Sequence, residues 1–433
     1  MLLTYQYKIN PNPEQVATLS YWGELLRRHW NYCLGERLNY LRRTRSARDR
    51  CSLISEPIGE IPNKVDYYSQ AANLKETKLL FPEYKNIYAD CQQQNLMRLD
   101  KAWKRWSIPD RNGKRGRDVL GGSFPPKARF GKPRFKKQGD ICSITFPRVN
   151  SVKAGANLLG NSLKLSKIGE IPVVLHRPIP EGSVVKQATI VSKADGWYVS
   201  FALENNTVPV SLPVDEIKTA ESAVLGFPQL EHLSKKAVGI DVGLEKFLTT
   251  SDAESIAVPQ FYRKAQANLA QKQRKLARQQ KGSNNYRKQW NKVARLHLHI
   301  ARQRKDFHYL AAHYLCANYD LIGFEKLNIK GLARTRLAKS ILDVAWRTFL
   351  NILQAVAVRR GKHTQEVDAQ GTSIECFNCE ERVVKDLSVR VHDCPNCRVS
   401  LDRDYNAAIN VLKRTTGLSF AACGGLEIGR AHV

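Results

Sequence analysis

The sequence is short of acid. Its 433 residues carry 40 Asp and Glu against 69 Lys and Arg, a formal charge of +29 at pH 7 that exceeds anything solubility requires. An imbalance of this size points to a polyanionic partner. Long apolar runs are also missing. No stretch approaches the roughly 18 uninterrupted apolar residues of a membrane span. The opening residues, Met1 to Lys8, are too polar for a signal peptide, so a soluble, intracellular protein without a membrane partner is expected. Nor do the ten cysteines form a secreted disulfide framework. Six are scattered (Cys33, Cys51, Cys91, Cys142, Cys316, Cys423) and receive no role, while four are tightly paired, a pattern that suggests metal in a reducing compartment. What is present in ordinary amount, 25% charged and 42% hydrophobic residues, excludes wholesale disorder. A chain this long suggests about three domains.

Leu3, Tyr5, Tyr7 and Ile9 alternate as in a strand, and Asn12-Pro13-Glu14-Gln15 carries the cap, first-turn proline and capping-box signals of a helix start. Val16, Leu19, Trp22, Leu26, Trp30 and Cys33 form one apolar face of a helix expected to run to about Leu41. A second helical stretch is expected near 85–106. Segment 98–117 holds eight basic and two acidic residues around Trp103 and Trp106, and Lys127 to Lys137 adds six basic residues and two Phe without an acid. Basic residues interleaved with aromatics suit phosphate neutralisation plus base stacking, which makes Lys104, Arg105, Lys132, Arg134 and Lys136 candidate nucleic-acid contacts.

Residues 141–203 read as short strands without helices, with Asp195-Gly196 as a two-residue hairpin turn, and suggest a small barrel. A motif-poor stretch, 204–234, precedes the apolar strand AVGID ending at Asp241. A Gly243 turn, a second strand and a long helical region, about 259–317 with a turn at Ser283-Asn284-Asn285, follow. Between 261 and 310 there are fourteen Lys and Arg and one acid, Asp306. Arg274, Lys275, Arg278, Arg287 and Lys288 are further candidate nucleic-acid contacts, and Val293, Leu296, Ile300 and Phe307 form the stripe that docks this arm. A strand LIGFE ending at Glu325, a helix from about Ser340 to Arg360, the paired cysteines and a last helix from about Asn406 complete an α/β pattern.

Two constellations carry chemistry. Cys376 and Cys379 are separated by fourteen residues from Cys394 and Cys397, and two such knuckles supply four thiolates to one tetrahedral Zn²⁺. Four protein ligands close the shell, so the zinc is expected to be structural. His392 is left out of the site. The second constellation is acidic: Asp241 and Glu325 end apolar strands, and Asp402 or Asp404 follows the cysteines in LDRDYNAAINVL. Strand ends are where α/β folds place their chemistry. Converging carboxylates that hold two Mg²⁺ about 3.5–4 Å apart are what phosphodiester cleavage needs. In so basic a chain, metal-dependent cleavage of nucleic acid is the natural expectation.

The segments GIDVGLEKFLTTS, LIGFEKLNIKGL, SILDVAWRTF and TSIECFNC…CPNC…LDRDYNAAINVL resemble, in that order, the RuvC-like nuclease motifs and inserted zinc ribbon of the TnpB (OrfB) family. That family consists of transposon-encoded RNA-guided DNA endonucleases related to compact type V CRISPR effectors. The resemblance implies a multidomain α/β plus β protein, with a RuvC-like (RNase H-like) domain over 235–433. Within it lie a basic helical hairpin at 259–317 and a zinc ribbon at 371–400. It further implies a helical recognition domain at 11–118, a β-barrel wedge domain made of 1–10 and 119–210, and a linker at 211–234. Asp241, Glu325 and Asp404 become the catalytic carboxylates, with Asp241 shared by two Mg²⁺ and the others holding one each; Asp402 is kept as an auxiliary residue. The partners implied are a guide RNA and double-stranded target DNA, for a monomeric enzyme in a prokaryotic cytosol. The alternatives are a guided DNA-binding regulator with little or no cleavage, a compact type V effector, or a transposase that joins strands. The chain departs from the family at Glu380, commonly Gly there, at VDAQGTS before the first knuckle, and in its tail, GLSFAACGGLEIGRAHV.

Overall fold

The computed structural model describes residues 2–49, 64–107, 131–140, 143–205, 209, 211, 213–218, 237–332, 334–386 and 389–417, with only the backbone at 43–49 and 330. The basic residues of 108–130, the linker at 212 and 219–234, Cys51, Cys142, Cys423 and the tail from 418 lie outside the described residues. The chain divides into two units, 1–207 and 208–433.

In the first unit the alternating start forms β1 (Leu2–Ile9). Asn12 and Gln15 then cap α1 (Pro13–Asp49) reciprocally: Gln15 N donates to Asn12 Oδ1 at 2.8 Å and Asn12 N to Gln15 Oε1 at 3.0 Å. The helix runs past Leu41, because nothing at 42–48 breaks it. Short helices α2 (Tyr67–Ala72) and α3 (Leu74–Leu80) lead to α4 (Ala89–Ser107). The strands are β2 (Ile144–Phe146), β3 (Ala156–Leu159), β4 (Ser162–Leu165), β5 (Gly169–Val174), β6 (Ser183–Lys193) and β7 (Gly196–Asn205). They join β1 in one antiparallel sheet, in the order β2-β6-β7-β1-β5-β4-β3, and a lone bridge between Val149 and Ala156 brings the two ends together. The hairpin turn between β6 and β7 is Ala194-Asp195, one residue before the expected Asp195-Gly196, because Gly196 already pairs with Lys193. Leu19, Trp22, Leu25 and Leu26 of α1 share one core with the sheet's Tyr7, Phe146 and Phe201, whereas Trp30, Cys33 and Leu34 pack on α3 and α4.

His29 is 3% exposed beside the Tyr84 ring, and burial pushes its pKa down to about 4; the same cause takes buried His308 in the second unit to about 4. A histidine with a depressed pKa destabilises the fold as pH falls from 6.5 towards 4, because the unfolded chain takes up the proton first. Each should cost about 3 kcal/mol by pH 4. Urea titrations between pH 7 and 4 should show this loss, and His29→Gln should remove its share; a slope unchanged by that substitution would refute the assignment.

The second unit is built on β8 (Ala237–Asp241), β9 (Lys246–Thr250), β10 (Ser255–Ala257), β11 (Leu321–Glu325) and β12 (His363–Val367), in the order β10-β9-β8-β11-β12. β8, β11 and β12 are parallel, and β9 and β10 antiparallel. Its helices are α5 (Phe261–Ala277), α6 (Asn284–Asn318), α7 (Ile329–Leu332), α8 (Ala338–Val344), α9 (Trp346–Arg359) and α10 (Arg403–Thr416), with β13 (Val391–Asp393) and β14 (Ser400–Asp402) as a separate ribbon. Alternation along β8 and β11 decides their faces. Val238, Ile240, Ile322 and Phe324 pack with α6 and α9, while Ala237 and Leu321 meet Leu412 of α10. Gly239 and Gly323, paired in register, lie on that second face: a Cβ at Gly239 would stand 2.2 Å from Ala408 O, and one at Gly323 1.8 Å from Thr415 Oγ1. The two glycines let α10 lie directly on the strands.

One stretch, 338–359, is apolar enough by composition and length to count as a candidate span, which the sequence reading did not expect. It breaks at Ala345, in left-handed conformation, into α8 and α9. The latter buries Trp346, Phe349, Leu350, Leu353 and Val356 in the core.

Candidate functional site

The face rule that places Gly239 and Gly323 under α10 also places Asp241 and Glu325, two residues further along each strand. β8 and β11 are adjacent and parallel, so the two acids end neighbouring strands at the same level, about 4.8 Å apart across the ladder. The third acid, Asp404, stands in the first turn of α10, where the helix dipole favours negative charge. Burial, with Glu325 and Asp404 close by, pushes the Asp241 carboxyl well above the usual carboxylate range, against the opposing Arg403 charge and Val242 amide. Burial likewise raises Glu325, opposed by a hydrogen bond from Thr372 and the charge of Arg414. Glu325 is 7% exposed and Asp404 9%. Among the described residues Asp241 and Glu325 form no ion pair, although the chain carries 69 Lys and Arg. Asp404 is approached by Arg403 at 3.3 Å and Arg390 at 3.9 Å.

Asp402, considered as an auxiliary acid, is engaged otherwise. It is the N-cap of α10, its Oδ1 accepting from Asp404 N at 2.9 Å and Tyr405 N at 3.1 Å, while Oδ2 pairs with Lys246 at 2.9 Å. Its carboxylate is consumed in setting the helix start that carries Asp404.

The four paired cysteines converge, their sulfurs all within 4.8 Å of one another. Cys376 and Cys397 sulfurs are 3.6 Å apart, Cys379 and Cys394 3.4 Å. Both separations exceed the roughly 2.05 Å of a disulfide. They approach the edge of about 3.8 Å expected for four sulfurs 2.3 Å from a common centre, so the set fits a tetrahedral metal ion. Burial pushes the Cys376 thiol up to about 12. For Cys397 burial is outweighed by the Val399 amide, Asn378 and the neighbouring thiols, which bring it to about 6. His392, outside this set, is buried, and its Nδ1 accepts from Lys385 Nζ at 2.6 Å.

The two knuckles close with the same turn. Glu380 N donates to Cys376 O and Arg398 N to Cys394 O, both at 2.9 Å, and both residues are left-handed, at φ 62° and 60°. A side chain there costs about 1–2 kcal/mol, partly offset by the larger unfolded-state entropy of glycine. Glu380→Gly should therefore raise stability by about 0.5–1 kcal/mol with metal content unchanged, measured by thermal melting and elemental analysis; a lowered melting temperature would refute the strain.

The basic candidates are dispersed. Arg274, Lys275 and Arg278 near the end of α5, and Arg287 and Lys288 at the start of α6, are exposed around one hairpin tip with Trp290, which is 52% exposed. In the first unit, Lys104 pairs with Asp100 at 2.8 Å, Arg105 is exposed on α4, and the exposed Arg134 gives its carbonyl to Trp30 Nε1. Lys132 and Lys136 lie over Trp106 and Trp30, 6.0 and 4.1 Å from the ring centroids. Trp106 is buried edge-on to Trp103, so it packs the fold and offers no open stacking platform.

Several residues escaped sequence reading. Asp343, a lone acid in the apolar run SILDVAW, accepts from Tyr262 N and Arg263 N and pairs with Arg304 at 2.9 Å. It caps α5 from a distant helix and ties down the basic hairpin. A single acid inside an apolar run was its signal. Asn406 and Asn410, one turn apart in NAAIN, grip the segment before the first knuckle. Thr372 had no signal of its own.

The fold and the site define a class: an α/β protein with two acids at adjacent parallel strand ends, a third acid near them on a helix, and four converging cysteines, in a strongly basic chain. Three family models match it, described as "Probable transposase" over 208–336, "Cas12f1-like, TNB domain" over 346–411 and "Helix-turn-helix domain" over 1–46, the last falling on β1 and a single helix. A Streptomyces pristinaespiralis protein named "Putative RNA-guided DNA endonuclease" is 32% identical over 60% of this chain and 60% of its own length. The InsQ protein of Escherichia coli K12, with the same description, is 28% identical over 77% of this chain and 75% of its own length. Among solved structures, the mini-RNA-guided endonuclease CRISPR-Cas phi3 aligns over 98% of this chain and 94% of its own, at 11% identity and a TM-score of 0.41. These matches agree with the resemblance to the TnpB (OrfB) family carried by the sequence motifs.

Proposed function

We propose that this chain is an RNA-guided DNA endonuclease that cuts DNA at guide-complementary sites beside a short flanking motif, in the prokaryotic cytosol. The observation that carries this reading is the acidic centre: among the described residues Asp241 and Glu325 form no ion pair in a chain of net charge +29, burial penalises the charged form of both, and Glu325 and Asp404 add to the penalty on Asp241. Such a cluster is poised for divalent cations. Mg²⁺, two ions shared through Asp241 with Glu325 and Asp404 at the flanks, would supply a polarised phosphate and an activated water. The protein's share is placement: two strand ends fix Asp241 and Glu325, the Asp402 cap fixes Asp404, and Arg403 and Arg390 balance its charge. The cysteine centre holds Zn²⁺ as a structural ion. The exposed tip of the α5–α6 hairpin supplies phosphate contacts, while base pairing with a guide RNA selects sequence. The RuvC-like, recognition and wedge assignments with their proposed boundaries, and action as a monomer, belong to the same reading.

The protein should be purified with the RNA it retains, that RNA sequenced, and the complex incubated with plasmids carrying the matching target beside randomised flanks. Cutting that requires Mg²⁺ and the guide is the expected result. Retained RNA and target binding without cutting in Mg²⁺ would leave a guided regulator instead.

A further inference from the structure

The segment 368–375, between β12 and the first cysteine knuckle, supplies none of the three acids and none of the four thiols. It nevertheless reaches both centres. The Thr372 hydroxyl, in a residue 2% exposed, lies 2.5 Å from Glu325 Oε1 and 3.2 Å from Ala369 O. One hydroxyl has one proton, and a carboxylate is the stronger acceptor. The segment is held from one face of α10. Asn406 and Asn410 both donate to Glu375 O, at 2.8 and 2.7 Å, and Asn410 donates to Thr372 O at 2.9 Å. A further turn along, Arg414 donates to Asp368 O and Gln370 O and pairs with Glu375 at 2.6 Å. The same face enters the knuckle: Asn406 Oδ1 accepts from Phe377 N at 3.0 Å, and Lys413 Nζ donates to Phe377 O. Spacings of four, three and four residues put these side chains in one row.

We infer that Thr372 is the positioning residue for Glu325, and that the Asn406–Asn410 staple makes its placement depend on the cysteine knuckle; this rests on the nuclease reading above. Glutamate has three rotatable bonds, and no ion pair among the described residues holds Glu325. A buried donor on Oε1 fixes the carboxylate plane and leaves Oε2 for a cation. Outer partners of metal ligands are typically worth 10–100-fold in affinity.

The test uses the full chain with its bound RNA, and Mn²⁺ as the probe, with binding followed by electron paramagnetic resonance in the absence of DNA. Thr372→Val, which keeps shape and removes the donor, should weaken Mn²⁺ binding about 10–100-fold. It should raise the Mg²⁺ needed for half-maximal cutting similarly, with the KM for DNA and the zinc content unchanged. Thr372→Ser should restore both. Mn²⁺ binding at wild-type strength in Thr372→Val, alongside its loss in Asp241→Asn, would overturn the positioning role alone. Loss of zinc in Thr372→Val without rescue by Ser would reduce Thr372 to a structural residue and overturn it too. Absence of Mn²⁺ binding by the wild type, or binding indifferent to Asp241→Asn, would overturn the nuclease reading and this inference with it.

Discussion

Asp241→Asn should abolish guided cutting while making the protein more stable. The loss of activity is expected to reach at least about a thousand-fold, on the order of 4 kcal/mol of barrier, because Asp241 is the acid proposed to be shared by both cations. The gain has a separate origin. The Asp241 carboxyl is raised by burial and by Glu325 and Asp404, so keeping it ionised at neutral pH costs folding free energy. The sign is set by linkage: a carboxyl raised in the folded state is harmless below its unfolded pKa near 3.8, and its cost grows as pH rises through the folded value. Asparagine removes the charge and keeps the shape. Without added divalent cation, the variant should melt higher than wild type at pH 7, with the difference shrinking towards pH 4. Guide RNA should still be retained, since the substitution leaves the basic hairpin untouched. Adding Mg²⁺ should stabilise wild type but not the variant, because a cation that binds only the folded state shifts its melting by mass action. Cutting retained at more than a tenth of wild type would remove Asp241 from the centre. An unchanged or lowered melting temperature would refute the electrostatic cost. The pH slope runs opposite to that of His29 and His308, so each must be measured by difference against its own variant.

Cys376→Ser should cost the second unit both its metal and its acidic centre. Cys376 is fully buried, and its knuckle is bound to α10 through Phe377, Asn406 and Lys413. α10 in turn lies on β8 and β11 and begins with Asp404. Structural zinc in isolated knuckles contributes about 10–16 kcal/mol of apparent folding free energy at neutral pH. Even a fraction of that, at least about 3 kcal/mol, should appear as a lowered melting transition of the second unit. Elemental analysis should find one zinc per chain in wild type and about none in the variant. A slow, strong chelator should reproduce both effects, and returned Zn²⁺ should reverse them. The first unit, with its own core and no cysteine of this set, should keep its melting transition. Full stability with an empty cysteine site would show that packing, and no metal, holds the knuckles.

Much of this was legible before any fold was known. AVGID and LIGFE share one pattern: two apolar residues, a glycine, another apolar residue and an acid. Continuous apolar runs signal strands buried on both faces, and the terminal acids announce a site. The Cys-x-x-Cys pairs were equally plain, because thiolate geometry tolerates few spacings. The Asn12 capping box was readable because its partners are three residues apart. Local chemistry of this kind is written locally. Nothing in the sequence marked Thr372, whose partner Glu325 is 47 residues away. Nor did it show that Trp106 would be buried, since a tryptophan among basic residues reads alike whether it faces a base or a core.

The sequence by itself determined the charge, the paired cysteines, the strand-end acids and the family resemblance, because each depends on residue type and short spacing. The family resemblance already favoured Asp404 over Asp402, and only the tertiary structure showed that Asp402 is the helix cap. Asp402 and Asp404 stand two residues apart, and where α10 begins on the strands makes the first the cap and brings the second near Asp241. That placement is set by the packing of α10 on Gly239 and Gly323, residues far from it in the chain, and no local pattern encodes it.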